Sequence, residues 1–192
     1  MTLRACVLCG GQSRRMGADK ALLHHPDGGV WLTVVVDLLC SLSLSVVVVS
    51  GHPSHSELLT NHVDVVVVDE PPPWQGPLRA LSHVFAEEPG HPLLVLPVDM
   101  PRLTPLVLQQ LIDQWCLLPN LAAVAHDGEG HQSLLGIFPS GPPFQDQLIQ
   151  QLAQGNRRWQ TWVASVPHRP VCLPVEALFN ANCPEDLASL NS

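Results

Sequence analysis

The sequence predicts an α/β fold of three layers, in which helices cover both faces of a doubly wound, mostly parallel sheet. Four short apolar runs lie in the first half of the chain, at 3–8, 45–49, 63–68 and 92–98. They lack the alternation of half-exposed strands, as is typical of parallel strands covered on both faces. Segments of helical length separate them, and this βαβ alternation indicates a doubly wound sheet. At 192 residues the chain is long enough for one domain with a sizeable core.

The helices between these strands are predicted at 30–42, 54–61 and 77–88. The first contains three consecutive valines, whose β-branched side chains favour a strand, but its length and its place between two strands favour a helix. After the fourth strand, Thr104 and Pro105 predict a helix start, with Thr as the N-cap and Pro at the first helical position.

The second half of the chain continues the pattern. Strands are predicted at 121–125 and 134–138, around a polar turn at 127–130. An extended segment is expected at 171–173, and helices at 143–152, 156–163 and 184–190. Since no internal repeat or low-complexity linker interrupts these elements, a single domain is expected.

The chain is acidic, with a formal net charge of −8 and an isoelectric point near 5.6. Nucleic acids and anionic membranes require a positive face, so we expect neither as a partner, and an anionic ligand must be held locally. The apolar stretch 30–49 contains Asp37, whose insertion into a membrane would cost about 2.5 to 3.5 kcal/mol, and it is predicted as a helix followed by a strand. The apolar segment 5–9 is too short for a secretory signal, so a cytoplasmic location is expected.

Neither the cysteines nor the histidines are spaced as a metal site. The six cysteines lie in apolar contexts, which predicts buried, reduced thiols. Cys6 and Cys9 form a Cys-x-x-Cys pair, but a zinc site needs a second pair, and a redox motif opens a helix rather than ending a strand. The ten histidines are dispersed, and even close pairs such as His52 and His55 are predicted to lie in loops at the surface.

Polar residues follow all four predicted strands at their carboxyl ends. Gly10 and Gly11 follow the first strand, the segment 50–52 follows the second, Asp69 the third and Asp99 the fourth. Because the carboxyl ends of parallel strands meet at one edge of a sheet, these residues are expected to face one crevice. A carboxylate such as Asp99 lies there where a hard cation bridging phosphates would bind it, although aspartate before Met-Pro also starts turns.

The first of these turns, 8–20, is predicted to bind phosphate. It contains Arg14, Arg15 and Lys20, which is the only lysine of the chain. Its glycines allow close backbone approach, and its amides and cations would surround phosphate oxygens with donors. It is not a Walker A loop, because no Ser or Thr follows the lysine, and the dinucleotide fingerprint Gly-x-Gly-x-x-Gly is absent.

The pattern Gly-Gly-x-Ser-x-Arg-Met-Gly-x-Asp-Lys-x-Leu-Leu, complete at 10–23, resembles the signature of the molybdenum cofactor guanylyltransferases. The resemblance extends to Gly-Pro-Leu at 76–78, Leu-Pro-Val-Asp-Met-Pro at 96–101 and Asn-x-Asn-x-Pro-Glu-Asp-Leu at 180–187. It implies a Rossmann-like fold of the nucleotide-diphospho-sugar transferase type. It also implies a single nucleotidyltransferase domain over 1–192, with a nucleotide-binding half at about 1–102 and an acceptor-binding half at about 103–192.

The activity implied by the resemblance is transfer of GMP from GTP to the phosphate of molybdopterin or molybdenum-molybdopterin, with Mg²⁺ as cofactor and release of pyrophosphate. A phosphate monoester is already ionised near pH 7, so the protein need not supply a general base. Catalysis then consists of aligning that oxygen with the α-phosphorus and stabilising the charge that spreads onto pyrophosphate. Proteins that insert molybdenum, and molybdoenzymes that receive the product, are implied partners.

The resemblance also assigns residues to each task. The catalytic residues would be Arg14, Lys20 and Asp99, with Asp99 as the metal ligand. The nucleotide-binding residues would be Leu8, Cys9, Gly10, Gly11, Ser13, Lys20, His52, Asp69, Gly76, Pro77, Leu78 and Asp99. The acceptor-binding residues would be Arg157, Arg158, Asn180 and Asn182. Arg15 belongs to the motif but has no role that the mechanism requires.

Three of these assignments compete with other roles. Asp69 precedes three prolines and fits a turn cap as well as a nucleotide contact. On a helix, the adjacent Arg157 and Arg158 would point about 100° apart, so one would contact the pterin phosphate and the other would be solvated. Asn182 fits a cap of the last helix as well as a contact to the pterin.

Two other enzymatic functions keep the fold and change the substrates: cytidylyl transfer to molybdopterin, and nucleotidyl transfer to a sugar phosphate. A nucleotide-binding regulator without turnover is the non-enzymatic hypothesis. Asp99 argues against the regulator, because turnover needs a carboxylate that binds metal whereas recognition of a base or ribose does not.

Overall fold

The computed structural model describes residues 2–9, 19–26, 28–70, 75–87, 89–182 and 186. Within them, seven strands form one sheet: β1 (Arg4–Leu8), β2 (Val46–Ser50), β3 (Val65–Asp69), β4 (Leu93–Pro97), β5 (Ala122–His126), β6 (His131–Phe138) and β7 (His168–Cys172). Their order is β3-β2-β1-β4-β6-β5-β7, so β3 and β7 are the edges. All neighbouring strands pair in parallel except β6, which is antiparallel to both β4 and β5. The predicted α/β class and mostly parallel sheet are confirmed.

Six α-helices connect the strands: α1 (Trp31–Ser41), α2 (Pro53–Leu58), α3 (Pro77–Glu87), α4 (Pro105–Leu117), α5 (Phe144–Ala153) and α6 (Trp159–Ser165). Two 3₁₀ turns, Lys20–Leu22 and Val175–Leu178, complete the described elements. The start of α4 is the predicted one, because the side chain of Thr104 accepts a hydrogen bond from the backbone N–H of Val107 at 3.3 Å.

The sheet separates two apolar layers, as a doubly wound fold requires. On one face, α1 and α4 pack on alternate residues of β1, such as Ala5 and Val7. On the other face, α3, α5 and α6 pack on the intervening residues, such as Cys6 and Leu8. Burial on both sides explains why the strand sequences are continuous apolar runs.

The two nearest cysteines lie on opposite sides of this sheet. Cys6 belongs to the layer under α3, α5 and α6, whereas Cys9 belongs to the layer under α1 and α4. Burial raises the pKa of the Cys6 thiol to about 12 and also raises the pKa of the Cys9 thiol. Two protonated thiols on opposite faces cannot bind one metal ion. Burial of every cysteine was the wrong expectation, because Cys116 and Cys172 are exposed.

Gly136, in the antiparallel strand β6, has no room for a side chain. Gly136 lies between Val95 of β4 and Val124 of β5. A Cβ atom at this position would lie 2.8 Å from the backbone oxygen of Ala123 and 3.0 Å from the Phe138 ring. Glycine therefore allows β6 to join the β1–β4 part of the sheet to β5 and β7.

The segment before α6 departs from the prediction. A helix over 156–163 was expected, but α6 begins at Trp159. Gly155 has φ +75°, which ends the preceding turn, and Asn156 Oδ1 accepts a hydrogen bond from the backbone N–H of Arg158 at 3.0 Å. This Asx turn holds the chain outside the helical region. Arg157 and Arg158 thus precede the helix, and the argument that they point 100° apart on it was wrong.

Two further predictions concern the helix at 184–190 and the apolar stretch 30–49. The predicted helix at 184–190 lies outside the described residues apart from position 186. The apolar stretch 30–49 folds as α1 and β2, as predicted. Across the described ranges, no helix combines the length and apolarity that crossing a bilayer requires.

Candidate active site

The carboxyl ends of four neighbouring strands form one edge of the sheet. Leu8 at the end of β1 pairs with Val49 on one side and with Pro97 on the other. Ser50 at the end of β2 pairs with Asp69 at the end of β3. The segments that follow these strands are therefore brought together, which is the arrangement that places ligand sites in open α/β sheets.

Three polar side chains from distant parts of the chain meet at this edge. Lys20 Nζ lies 2.7 Å from Asp99 Oδ2 and donates a 3.1 Å hydrogen bond to Asn182 Oδ1. The side chains of Lys20 and Asp99 are 16% and 19% exposed, so they are shielded but reachable by a ligand. The backbone N–H of Ala181 donates to the carbonyl oxygen of Asp99 at 3.0 Å, which ties the C-terminal segment to the end of β4. We call Lys20, Asp99 and Asn182 the Lys20 cluster.

The residue before the lysine fixes the local backbone. Asp19 is the N-cap of the 3₁₀ turn Lys20–Leu22, and its Oδ1 accepts a hydrogen bond from the backbone N–H of Ala21 at 3.0 Å. Ala21 is buried in the core, so the turn is anchored on its inner side. Lys20 is therefore presented from a capped turn rather than from an extended loop.

A buried histidine binds the other oxygen of Asp19. His55 Nε2 lies 2.8 Å from Asp19 Oδ2, and His55 Nδ1 lies 2.6 Å from Ser50 Oγ. Ser50 Oγ also accepts a 3.0 Å hydrogen bond from the backbone N–H of His52. These contacts fit one tautomer, in which the Ser50 hydroxyl donates to Nδ1 and the Nε2–H donates to Asp19. We call Ser50, His55 and Asp19 the His55 chain.

Burial sets the charge of this histidine. The side chain of His55 is 0% exposed, and burial lowers its pKa. The negative charge of Asp19 and the hydrogen bond to it oppose that effect. Because both ring nitrogens already have partners within the protein, His55 is a structural donor and not an open base. The predicted surface position of His55 was wrong.

The turn before α3 has the shape expected for Gly-Pro-Leu. Gly76 has φ +91°, which favours glycine, and its carbonyl oxygen accepts hydrogen bonds from the backbone N–H groups of Arg79 and Ala80 at 3.1 and 3.2 Å. Pro77 is the first residue of α3, where a missing N–H has no consequence. Leu78 is fully buried, so its side chain packs in the core beneath this turn.

The structure describes only some of the other residues that were predicted to bind the nucleotide. Leu8 and Cys9 lie in the core, so their contribution to a site is confined to the backbone. Asp69 is exposed at the same edge, and His52 is half-buried with its ring centroid 5.3 Å from that of His55. The predicted residues Gly10, Gly11, Ser13 and Arg14 lie outside the described residues.

The predicted acceptor residues divide into two places. Arg157 and Arg158 are exposed, and Arg158 lines a cavity of about 390 Å³ together with Pro77, Leu134, Trp159, Gln160 and Thr161. Pro77 is shared between this cavity and the turn described above, so the cavity opens beside the turn before α3. Asn180 donates to the carbonyl oxygen of Leu178 at 3.5 Å, whereas Asn182 belongs to the Lys20 cluster.

A divalent cation fits the chemistry of the Lys20 cluster. Over the ranges that the structure describes, no group of three or more His, Cys, Asp or Glu side chains could hold a metal ion. The Lys20 ammonium is instead held by a carboxylate oxygen of Asp99 and an amide oxygen of Asn182. Both are hard oxygen ligands of the kind that Mg²⁺ binds, and Mg²⁺ needs only one or two carboxylates when phosphates complete its shell. The residues therefore fit a metal held mainly by Asp99 and a ligand.

Sequence patterns alone missed Ser50 and His55. Ser50 ends the second strand and His55 follows it, but Asp19, which binds His55, is 36 residues from His55 in the chain. The available signal was the position of the segment 50–55 at a strand end, next to a predicted crevice. That signal identifies the edge but not the pairing with Asp19.

Comparison with known proteins finds relatives over nearly the whole chain. The MobA-like NTP transferase domain family matches residues 5–191. The chain is 34% identical over 194 residues to a probable molybdenum cofactor guanylyltransferase of Synechococcus elongatus, covering 99% of this chain and 98% of that protein. It is 31% identical over 191 residues to a molybdenum cofactor guanylyltransferase of Ectopseudomonas mendocina, covering 95% and 89%.

A solved structure shows the same fold. The molybdopterin-guanine dinucleotide biosynthesis protein A from Archaeoglobus fulgidus superimposes with a TM-score of 0.77 at 20% sequence identity. The match covers 98% of this chain and 96% of that one. The common fold therefore includes both the edge with the Lys20 cluster and the side with Arg157 and Arg158.

Proposed function

The chain belongs to the MobA-like NTP transferase family, and from that premise we propose that it transfers GMP from GTP to the phosphate of molybdopterin or molybdenum-molybdopterin. The products are the molybdopterin guanine dinucleotide cofactor and pyrophosphate. Its full-length relatives make the chain a nucleotidyltransferase of molybdenum cofactor biosynthesis. The choice of GTP and the acceptor phosphate are the parts that we propose.

The observation that carries the proposal is the Lys20 cluster. Lys20 lies in the crevice at the carboxyl ends of β1 and β4, 2.7 Å from Asp99. A cation and a carboxylate, both partly exposed, supply what a nucleoside triphosphate requires: a donor for phosphate oxygens and a ligand for its divalent cation. A regulator that only recognises a base or ribose does not need this pair.

The side chains of the cluster have distinct tasks when GTP binds. Asp99 would hold Mg²⁺, and that ion neutralises negative charge on the phosphates when bound. Lys20 then donates to phosphate oxygens and stabilises the charge that develops on pyrophosphate. Asn182 keeps the lysine on this side of the crevice through its amide oxygen.

The acceptor is proposed to bind beside Pro77. Arg158 lines the 390 Å³ cavity next to the turn before α3, and Arg157, the residue before it, is an exposed second positive charge. Two guanidinium groups suit a phosphate, because each can donate two parallel hydrogen bonds. Asn180 supplies a further amide for the pterin edge. The nucleophile is the acceptor phosphate, so the mechanism needs no protein base.

A direct assay tests the substrate assignment. The purified chain is incubated with Mg²⁺ and GTP, CTP or ATP, with molybdopterin, glucose 1-phosphate or no acceptor, and pyrophosphate and the dinucleotide are measured. Pyrophosphate release from GTP only with molybdopterin is the expected result, and Asp99→Asn should abolish it. Turnover of CTP instead of GTP, turnover with the sugar phosphate, or nucleotide binding without turnover would each overturn the proposal in favour of the corresponding alternative.

A further inference from the structure

We propose that His55 is a positioning residue, which holds Asp19 and thereby sets Lys20 in place against Asp99. The structural part of this inference stands on contacts alone, and its kinetic part rests on the proposed function. The contacts run from the sheet to the lysine through Ser50, His55 and Asp19. None of these three residues belongs to the Lys20 cluster itself.

The first step is the restraint on Asp19. Its Oδ2 is bound by His55 Nε2 at 2.8 Å and its Oδ1 by the N–H of Ala21 at 3.0 Å. With both carboxylate oxygens held from different directions, the side chain cannot rotate without losing a hydrogen bond. Lys20 follows directly and begins the capped turn. The orientation of Asp19 therefore fixes where the Lys20 side chain leaves the backbone.

The second step is the restraint on His55. Ser50 is the last residue of β2 and is 1% exposed, so its hydroxyl is fixed to the sheet. This hydroxyl is bound to His55 Nδ1 at 2.6 Å and accepts from the N–H of His52 at 3.0 Å. A fully satisfied buried network of this kind favours one side-chain arrangement. The His55 chain thus fixes the turn that contains Lys20 relative to β2.

The third step concerns what His55 does not do. It is 0% exposed and both its nitrogens are used, so it touches neither substrate nor metal. A merely structural histidine would contribute to folding without any special effect on Lys20. The two hypotheses differ in what happens to the lysine in a folded protein that lacks the His55 donor.

The chain offers a direct probe, because Lys20 is its only lysine. Biosynthetic labelling with ¹³C- and ¹⁵N-lysine gives one side-chain amine signal, and its ¹³Cε and ¹⁵Nζ shifts report on the contact with Asp99. The variants are His55→Leu, which removes the donor, and His55→Gln, whose side-chain amide can still donate to Asp19. Asp99→Asn supplies the signal of a lysine without its carboxylate partner.

The matched control is the pair His62 and Asp37. His62 Nε2 lies 3.1 Å from Asp37 Oδ1 on the surface, so His62→Leu breaks a histidine–aspartate contact away from the crevice. We expect the lysine signal of His55→Leu to move toward that of Asp99→Asn. The signals of His55→Gln and His62→Leu should stay at the wild-type position. A folded His55→Leu protein with the wild-type lysine signal would overturn the inference.

A second variant covers the case in which His55→Leu does not fold. Ser50→Ala removes one hydroxyl and leaves the imidazole in place without its anchor. We expect an intermediate shift of the lysine signal, and an unchanged signal in folded Ser50→Ala would also overturn the inference. Because this readout needs neither GTP nor turnover, its outcome is separate from that of the proposed function.

Kinetics then test the route of the effect. We expect His55→Leu to lower kcat for guanylyl transfer about tenfold, with the KM for molybdopterin unchanged and most of kcat restored in His55→Gln. If His55 acts through the lysine, His55→Leu should lower kcat less than about twofold further in a Lys20→Ala background, as for residues that act as a unit. The same fold-loss in both backgrounds would overturn the positioning role.

Discussion

The side that we propose for the nucleotide and the side that we propose for the acceptor hold their charges in different ways. Lys20 is bound by a carboxylate and an amide, and the residue before it is tied to the sheet through the His55 chain. Arg157 and Arg158 are exposed, and their guanidinium groups form no ion pair with any residue that the structure describes. The nucleotide side is thus organised before a ligand arrives, whereas the acceptor side depends on the charge of the ligand.

This difference predicts how strongly each side responds to substitution. A preorganised donor acts on the charge that develops during the reaction, so its loss lowers kcat. An exposed arginine contributes mainly to binding in the ground state, so its loss raises KM. Four predictions test the comparison, in order of decreasing effect.

The largest effect is expected for Lys20→Ala. Removing one preorganised donor to developing charge lowers kcat by about 10²- to 10³-fold. Lys20→Arg should recover only part of this loss, because a planar guanidinium does not reproduce the point charge between Asp99 and Asn182. Steady-state pyrophosphate release measures both variants. A loss below about fivefold in Lys20→Ala would show that the nucleotide side is not organised around this residue.

The next largest effect is expected at β6, the strand between β4 and β5. In Gly136→Ala the new methyl group would lie 2.8 Å from the backbone oxygen of Ala123, so β6 must shift. We expect a loss of about 1 to 3 kcal/mol in the free energy of unfolding, as for other overpacked sites. Urea denaturation gives the value, with Gly130→Ala as the comparison, because a Cβ atom at Gly130 would meet no atom within 4 Å and its φ is not positive. Equal unfolding free energies for wild type and Gly136→Ala would contradict the close packing of this strand.

A smaller and different effect is expected at the acceptor side. Arg158→Ala should raise the KM for molybdopterin about tenfold, roughly 1.4 kcal/mol, while the KM for GTP stays constant. Arg157→Ala should raise the same KM by a smaller factor, because Arg157 does not line the cavity. A larger effect on the KM for GTP than on the KM for molybdopterin would show that Arg158 binds the nucleotide rather than the acceptor.

The smallest effect is a dependence of stability on pH. Burial lowers the pKa of His55 below the 6.5 of a free histidine, while Asp19 opposes and His52 adds to the shift. The unfolded chain therefore binds more protons just below pH 6.5, so this contribution to stability is complete above pH 6.5 and is lost as the pH falls below it. One group contributes at most about 1.4 kcal/mol per pH unit.

Denaturation of wild type and His55→Gln between pH 5 and 7.5 measures this contribution. The unfolding free energy of the wild type should fall more steeply below pH 6.5 than that of His55→Gln. Parallel curves for wild type and His55→Gln would contradict a buried neutral imidazole.

Most of the fold followed from local patterns, because buried parallel strands are continuous apolar runs and caps such as Thr104 are read directly from the chain. Lys20 and Asp99 were predicted together, because both follow strands that end at the same edge. The failures arise where local and distant contacts compete. Asn156 Oδ1 accepts a hydrogen bond from the backbone N–H of Arg158, so α6 begins later than predicted. His55 is buried, and its Nε2 binds Asp19, which comes from another segment of the chain.

The two edges of the sheet differ in their capacity to accept a further strand. The backbone N–H of Ala122 donates to the carbonyl oxygen of Pro167, and the N–H of Leu173 donates to that of His126. The backbone N–H and C=O groups of the odd-numbered residues of β7 therefore point toward β5, whereas those of even-numbered positions such as Pro170 point away from the sheet. Proline has no N–H, which interrupts outward pairing along β7. At β3, Val46 N donates to Asp64 O and Glu70 N to Ser50 O, so Val65 and Val67 present outward amides. Edge-to-edge aggregation of this protein would therefore start at β3 rather than at β7.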